Sequence, residues 1–236
     1  MDYLTRPFAA ARLIPLAACV LWGCLGPAVA TAGCNDAPAP AVVWKDCEKQ
    51  RLILRKAHLA GSHLEGAEMD GSDFAEADLS GADLSRASVD RSRLSGANLE
   101  RAKLTRLIAF RANFTGAKLS GADLTKAELM RSNFKDANLS GANLEKAELQ
   151  RTNFDGANLG NTNLSGADMA RTVLVKARLN GARLTLARTF LTRIEGVDLS
   201  AAQGLVQSQI DSACGDKATK LPAGLKVPAG WPCPAE

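Results

Sequence analysis

The sequence predicts an all-β solenoid, a four-sided β-helix, and three observations predict it. From about Leu54 to Leu199 a five-residue unit of the form Ala-(Asp/Asn)-Leu-x-Gly recurs, with near copies at 81–85, 96–100 and 121–125. A second spacing of twenty residues is superimposed on the first. Glycine recurs at one position of the unit, as at Gly81, Gly96, Gly121 and Gly141, where a chain that turns sharply favours it.

The five-residue step excludes the ordinary elements. On a helix it rotates by roughly 140°, so Leu79, Leu84, Leu94, Leu99 and Leu104 would spiral around the surface. On a strand it alternates faces. The leucines share an interior only if the chain turns a corner in every unit. The small residues two places before them, such as Ala77, Ala82 and Ala97, then line the same interior.

The longer spacing counts the sides. Phe takes the large position at Phe74, Phe114, Phe134 and Phe154, with Leu94 and Leu174 in the same series. Ser or Thr takes the small position at Ser72, Ser92, Ser132, Thr152, Thr172 and Thr192. Arg recurs at Arg91, Arg111, Arg131, Arg151 and Arg171. Three features share a spacing of four units, so four units make one coil and equivalent residues stack. At about 4.8 Å per coil, about seven coils make a rod of roughly 35 Å. These residues resemble the pentapeptide-repeat family, over about 150 residues of the chain. The resemblance implies a right-handed quadrilateral β-helix and leaves the function open, because family members differ in function.

Residues 1–30 read as a cleavable signal peptide. Arg6 and Arg12 precede an apolar run from Leu13 to Gly26, and Ala28-Val29-Ala30 supplies small residues for cleavage. The run is shorter than the usual span of about 20 residues. Leu16-Ala17-Ala18-Cys19 also resembles a lipoprotein box, which leaves a lipid anchor as an alternative. Residues 31–53 then form an N-terminal cap, 54–203 the solenoid, and 204–236 a C-terminal helix with a Pro/Gly-rich tail. The helix is expected from Leu205 to Ala213, with Leu205, Val206 and Ile210 apolar. Cys34, Cys47, Cys214 and Cys233 flank the repeats in two pairs. Cys34–Cys47 and Cys214–Cys233 are the natural disulfides in an oxidising compartment, although four cysteines permit three connectivities. The expected location is periplasmic or secreted. The tail resembles that of exported, alphaproteobacterial-type pentapeptide-repeat proteins.

Catalysis finds little support in the residues. His58 and His63 precede the core leucines of successive units and face outward on adjacent sides. The serines lack a histidine partner, and the glycines follow the five-residue spacing rather than a phosphate loop. The expectation is a non-enzyme without cofactor or metal, acting as a structural or interaction scaffold. Formal net charge is +4, and removing Arg6, Arg12 and Asp2 with the signal leaves about +3. An acidic DNA-mimic that protects a topoisomerase, as in some pentapeptide-repeat proteins, fits neither that sign nor an exported location.

The basic residues align instead. Arg86, Arg106, Lys126 and Lys146 share one corner, and Arg91, Arg111, Arg131, Arg151 and Arg171 share the next. Glu128, Glu148 and Asp168 lie between them and offer screening of the stacked charges. The alternative is a docking stripe for an unknown protein or an anionic envelope polymer. One fault interrupts the repeat: Leu107 holds the small position and Ala109 the large one. The regular register exposes Ile108, Phe110 and Met130 between the arginines, whereas a bulge would tuck Phe110 inward. Thr189-Phe190 is a second fault, read as a wind-down into the C-terminal cap.

Overall fold

The computed structural model describes residues 33–233. The signal-peptide and lipoprotein-box readings therefore lie outside the described residues. The chain winds as a right-handed β-helix in which pairing is parallel and joins each bridging residue to the one twenty positions on. One ladder runs in such steps from Val43 through His63 and Asp83 to Asn163, Arg183 and Gln203. It begins at Val43, ahead of Leu54, so the segment expected as an N-terminal cap already carries the register.

The repeat unit is a turn recipe. In the unit around Leu84, the Ala87 amide donates to the Leu84 carbonyl at 3.0 Å, and Arg86 takes φ 60. A left-handed third residue defines a type II turn, which explains the glycines at this position. The Asp or Asn of the unit fixes the turn from outside. Asp83 Oδ1 accepts the Ser85 amide at 3.0 Å, and Asn163 does the same for Ser165 at 3.2 Å. Burial opposes ionisation of Asp83. The Ser85 hydroxyl and amide, with Lys103, outweigh it and hold the carboxyl below its ordinary range. Side-chain amides also link coils, as where Asn163 Nδ2 donates to Asn143 Oδ1 at 3.0 Å.

The axis is filled by side chains. Leu79, Leu84, Leu99, Leu119 and Leu124 are fully buried, with Ala77, Ala82 and Ala97 between them. Phe114 and Phe134 stack with ring centroids 4.4 Å apart, and Phe134 and Phe154 at 5.1 Å. Beside them the buried hydroxyls form a polar seam. Thr172 Oγ1 donates to the Leu149 carbonyl at 2.7 Å, and Ser92 Oγ to the Met69 carbonyl at 3.1 Å. Ser92 Oγ also accepts the Ser72 amide at 3.1 Å. Each hydroxyl thus adds a second donor to a corner carbonyl that already accepts the amide of its own turn, as Leu149 accepts Thr152 at 3.0 Å.

Both ends are tied down. Trp44 is fully buried, its Nε1 donates to the Asp36 carbonyl at 3.1 Å, and Cys34 is bonded to Cys47. At the other end the pairing offset grows from 20 to 21 at Arg193–Cys214 and 22 at Asp198–Lys220. Helix α1 spans Gln207–Asp211, shorter than the expected Leu205–Ala213. Val206, expected on its apolar face, is the N-cap and is 55% exposed. Gln209 turns inward instead, donating to the carbonyls of Leu184 at 2.9 Å and Ala187 at 2.8 Å. These bonds hold a helix too short to be stable alone. Thr189 Oγ1 donates to the Gln209 carbonyl at 2.6 Å, so the fault at Thr189-Phe190 is where the coil meets the helix. Cys214 is bonded to Cys233, and the Trp231 indole donates to the Ala213 carbonyl at 2.7 Å.

Candidate interaction face

The basic residues occupy a conformation that side chains ordinarily avoid. All nine of the columns Arg86 to Lys146 and Arg91 to Arg171 have φ between 52 and 60. The left-handed region costs an L-residue with a Cβ about 1 kcal/mol or more. The other turn columns mix glycine, as at Gly81, Gly121, Gly96 and Gly116, with side chains in the same conformation, as at Glu76, Arg101, Asp136 and Lys176, and glycine also enters the basic columns at Gly66, Gly71 and Gly166. The two basic corners are adjacent and bound a single side of the rod.

Six of these cations are not neutralised by contact. Among the described residues, Arg86, Arg91, Arg106, Arg111, Arg131 and Arg151 form no ion pair. Lys146 pairs only with its neighbour Glu145, at 3.2 Å. Glu128 and Glu148 stand between the columns in the ladder that leads to Asp168, without pairing to those six arginines. Asp168 itself reaches Arg188 at 3.0 Å. The acids expected to screen the columns therefore act on those six arginines only at a distance.

The fault at Leu107–Phe110 keeps the regular register. Ser88, Ile108 and Glu128 bridge in sequence, and the Arg111 amide bonds the Met130 carbonyl at 3.1 Å. No bulge is needed, because Leu107 and Ala109 exchange volumes and both remain buried. Phe110 consequently lies outside, half-buried. Its ring carries the guanidinium of Arg111 at 4.9 Å and that of Arg131 at 5.9 Å. Both distances suit attraction between a cation and an aromatic face. Ile108 is 37% exposed beside it, and Met130 is half-buried one coil on.

Two carboxylates on this side are not marked by the repeat pattern. Asp70 Oδ1 accepts the Ser88 hydroxyl at 2.5 Å and the Asp90 amide at 2.9 Å. Asp90 Oδ1 in turn accepts the Phe110 amide at 2.8 Å. Each carboxylate secures the backbone of the next coil in the column that leads to the half-buried Phe110. Their twenty-residue spacing was the available signal. With Gln50, Arg51, Gly71 and Arg91 they line a hollow of about 230 Å³. His58 and His63 do not converge on a shared site, and His63 lies 3.5 Å from Glu65. Among the described residues no His, Cys, Asp or Glu cluster is arranged to hold a metal. No helix among them is long and apolar enough to cross a membrane.

Comparison with solved structures shows the same fold. A trypsin-treated variant of QnrB1, a plasmid-mediated fluoroquinolone resistance protein, aligns over 74% of this chain and 92% of its own, at 19% identity and a TM-score of 0.53. HetL, a pentapeptide repeat protein involved in heterocyst differentiation regulation from the cyanobacterium Nostoc sp. Strain PCC 7120, covers 79% of this chain and 90% of its own, at 27% identity and a TM-score of 0.37. No curated protein matches the sequence significantly. The family model for eight pentapeptide repeats matches residues 53–90 and 82–108, and that for a pentapeptide repeat region matches 107–184. The matched segments coincide with the ladder and its turns, and the chain belongs to the pentapeptide-repeat family.

Proposed function

We propose that this protein is an exported, non-enzymatic scaffold that docks an anionic partner on the side bounded by the two basic columns. In this reading it is a four-sided rod of about seven coils, closed at one end by the Cys34–Cys47 segment and at the other by α1 and its disulfide-bonded tail. The observation that carries the reading is the distribution of residues at left-handed corners. From residue 86 to 171 two adjacent corners hold only Arg or Lys in nine left-handed positions, apart from Gly166, whereas the other two alternate glycine with side chains of mixed charge such as Glu76, Arg101 and Asp136. The absence of ion pairs at Arg86, Arg91, Arg106, Arg111, Arg131 and Arg151 supports the same reading, because their guanidinium groups are available to a ligand. The two disulfides are what an oxidising compartment favours. A DNA-mimic role, which needs an acidic surface, is disfavoured by the columns.

The test is binding of the chain to heparin and to anionic vesicles across a salt series. Affinity should fall steeply with salt and collapse when Arg111, Arg131 and Arg151 are replaced by Ala. A flat salt response, or unchanged affinity in the triple variant, overturns the reading.

A further inference from the structure

The side between the columns is not uniformly positive, and its pattern carries more than a sign. At its centre Ile108, Phe110 and Met130 form an apolar island, with basic corners on both edges. Towards the C-terminus the middle of the side turns acidic, at Glu128 and Glu148. Towards the N-terminus it opens into the mixed-charge hollow holding Asp70 and Asp90. The geometry points to an acidic polypeptide segment with an apolar anchor as the partner, seated with the anchor on Phe110 and its carboxylates on Arg111 and Arg131. This inference rests on the docking reading above and specifies its partner.

Two observations favour a polypeptide over a polyanionic polymer, and a third favours an anion of either kind. A chain of sulfates or phosphates laid along the side meets Glu128 and Glu148 between the cations, and each contact is repulsive. A polypeptide of mixed charge places a basic or neutral residue there. The island gives a polyanion little in return for its desolvation, whereas an apolar side chain gains in proportion to the area it covers. The third concerns preparation of the arginines. The guanidinium groups of Arg111 and Arg131 already lie over one aromatic ring, which reduces the entropy lost when carboxylates bind them.

Dimensions agree with an extended segment running along the rod. The hollow at Asp70 lies two coils from Phe110, about 10 Å at the spacing of paired strands, or roughly three residues of extended chain. One segment therefore reaches both features. Aromatic and arginine groups clustered at the centre of a face, with charged residues at its rim, also match the composition of protein interfaces.

The experiment titrates three labelled probes against the full chain: a peptide of about twelve residues with glutamates flanking a central Leu-Phe pair, poly-glutamate of equal length, and heparin. The Leu-Phe peptide should bind at least about tenfold tighter than poly-glutamate. Phe110→Ala, with Ile108→Ala as a second variant, should remove that advantage with little change in melting temperature. Arg111→Ala with Arg131→Ala should weaken every probe. If heparin or poly-glutamate binds as tightly as the peptide and Phe110→Ala changes nothing, the polypeptide inference falls while the docking reading stands. If no probe responds to loss of the arginines, both fall.

Discussion

The hydroxyl of Thr152 donates to the carbonyl oxygen of Leu129 at 2.9 Å, across 23 residues of sequence. Thr172, Thr192, Ser92 and Ser132 repeat the bond on their own coils. Ala112 occupies the same column without a hydroxyl. Thr152→Val should cost about 1 kcal/mol, because the shape is kept and the buried Leu129 carbonyl loses one of its two donors while keeping the Ser132 amide. Ala112→Ser should stabilise by about 1 kcal/mol through the missing bond. Denaturant unfolding of both variants checks the pair, and opposite signs are expected.

The phenylalanine stack distinguishes volume from aromatic order. Phe134 sits between Phe114 and Phe154. Phe134→Ala should cost about 3–5 kcal/mol by opening a cavity on the axis. Phe134→Leu, which copies Leu94 and Leu174 in the same column, should cost under about 1.5 kcal/mol. Near-equal losses in the two variants, measured by thermal or denaturant unfolding, would contradict a packing origin.

Corner substitutions separate backbone conformation from side-chain room. Gly116 has φ 64 and open space where a Cβ would stand. Gly116→Ala should therefore cost about 1 kcal/mol, the backbone penalty alone. At Gly156 the added Cβ meets the carboxylate of Asp136, so Gly156→Ala should cost more unless that side chain moves. Arg131→Gly should leave stability within about 0.5 kcal/mol while weakening anion binding, since relief of the left-handed strain offsets the added chain freedom. Unfolding curves and a heparin titration of the same variants check both halves.

Strong acid should loosen the last coil. The Ser200 hydroxyl and then its amide, followed by Lys220 at 3.0 Å, hold Asp198 down to about 2 from the ordinary 3.8. A carboxyl lowered on folding stabilises the fold above its unfolded value and loses that contribution as pH falls from about 3.8 through about 2. Amide exchange at Ser200 and Lys220 should quicken in that window. Asp198→Asn should flatten the response, and an unchanged profile in that variant would assign the loosening to other carboxyls.

Much of this architecture was legible because the repeat reports turns and core together. Leu, Phe, Ala and Ser columns all follow from the spacing, and so does the outward position of the basic corners. What the sequence left open depended on side-chain reach. Whether Glu128 neutralised the arginines, or Phe110 turned in, is decided by fractions of a coil spacing that residue counting does not resolve. The C-terminal end was less legible for a different reason. There Gln209, a polar residue, supplies the inward contact expected of Val206. Asp70 and Asp90 resembled ordinary surface acids until their bonds to the next coil were visible.

The offset of twenty between paired residues, kept from Val43 to Gln203, makes the rod a counted object. Excising 121–140 would join equivalent coils and shorten the molecule by one storey, with every side keeping its address. Excising a single pentapeptide would rotate all that follows by one side. Arg131 would leave Phe110 and surface beneath a different edge, although nearly every local contact could re-form. The molecule's length is thus free to change in whole storeys, while the identity of its sides is protected as strictly as a reading frame.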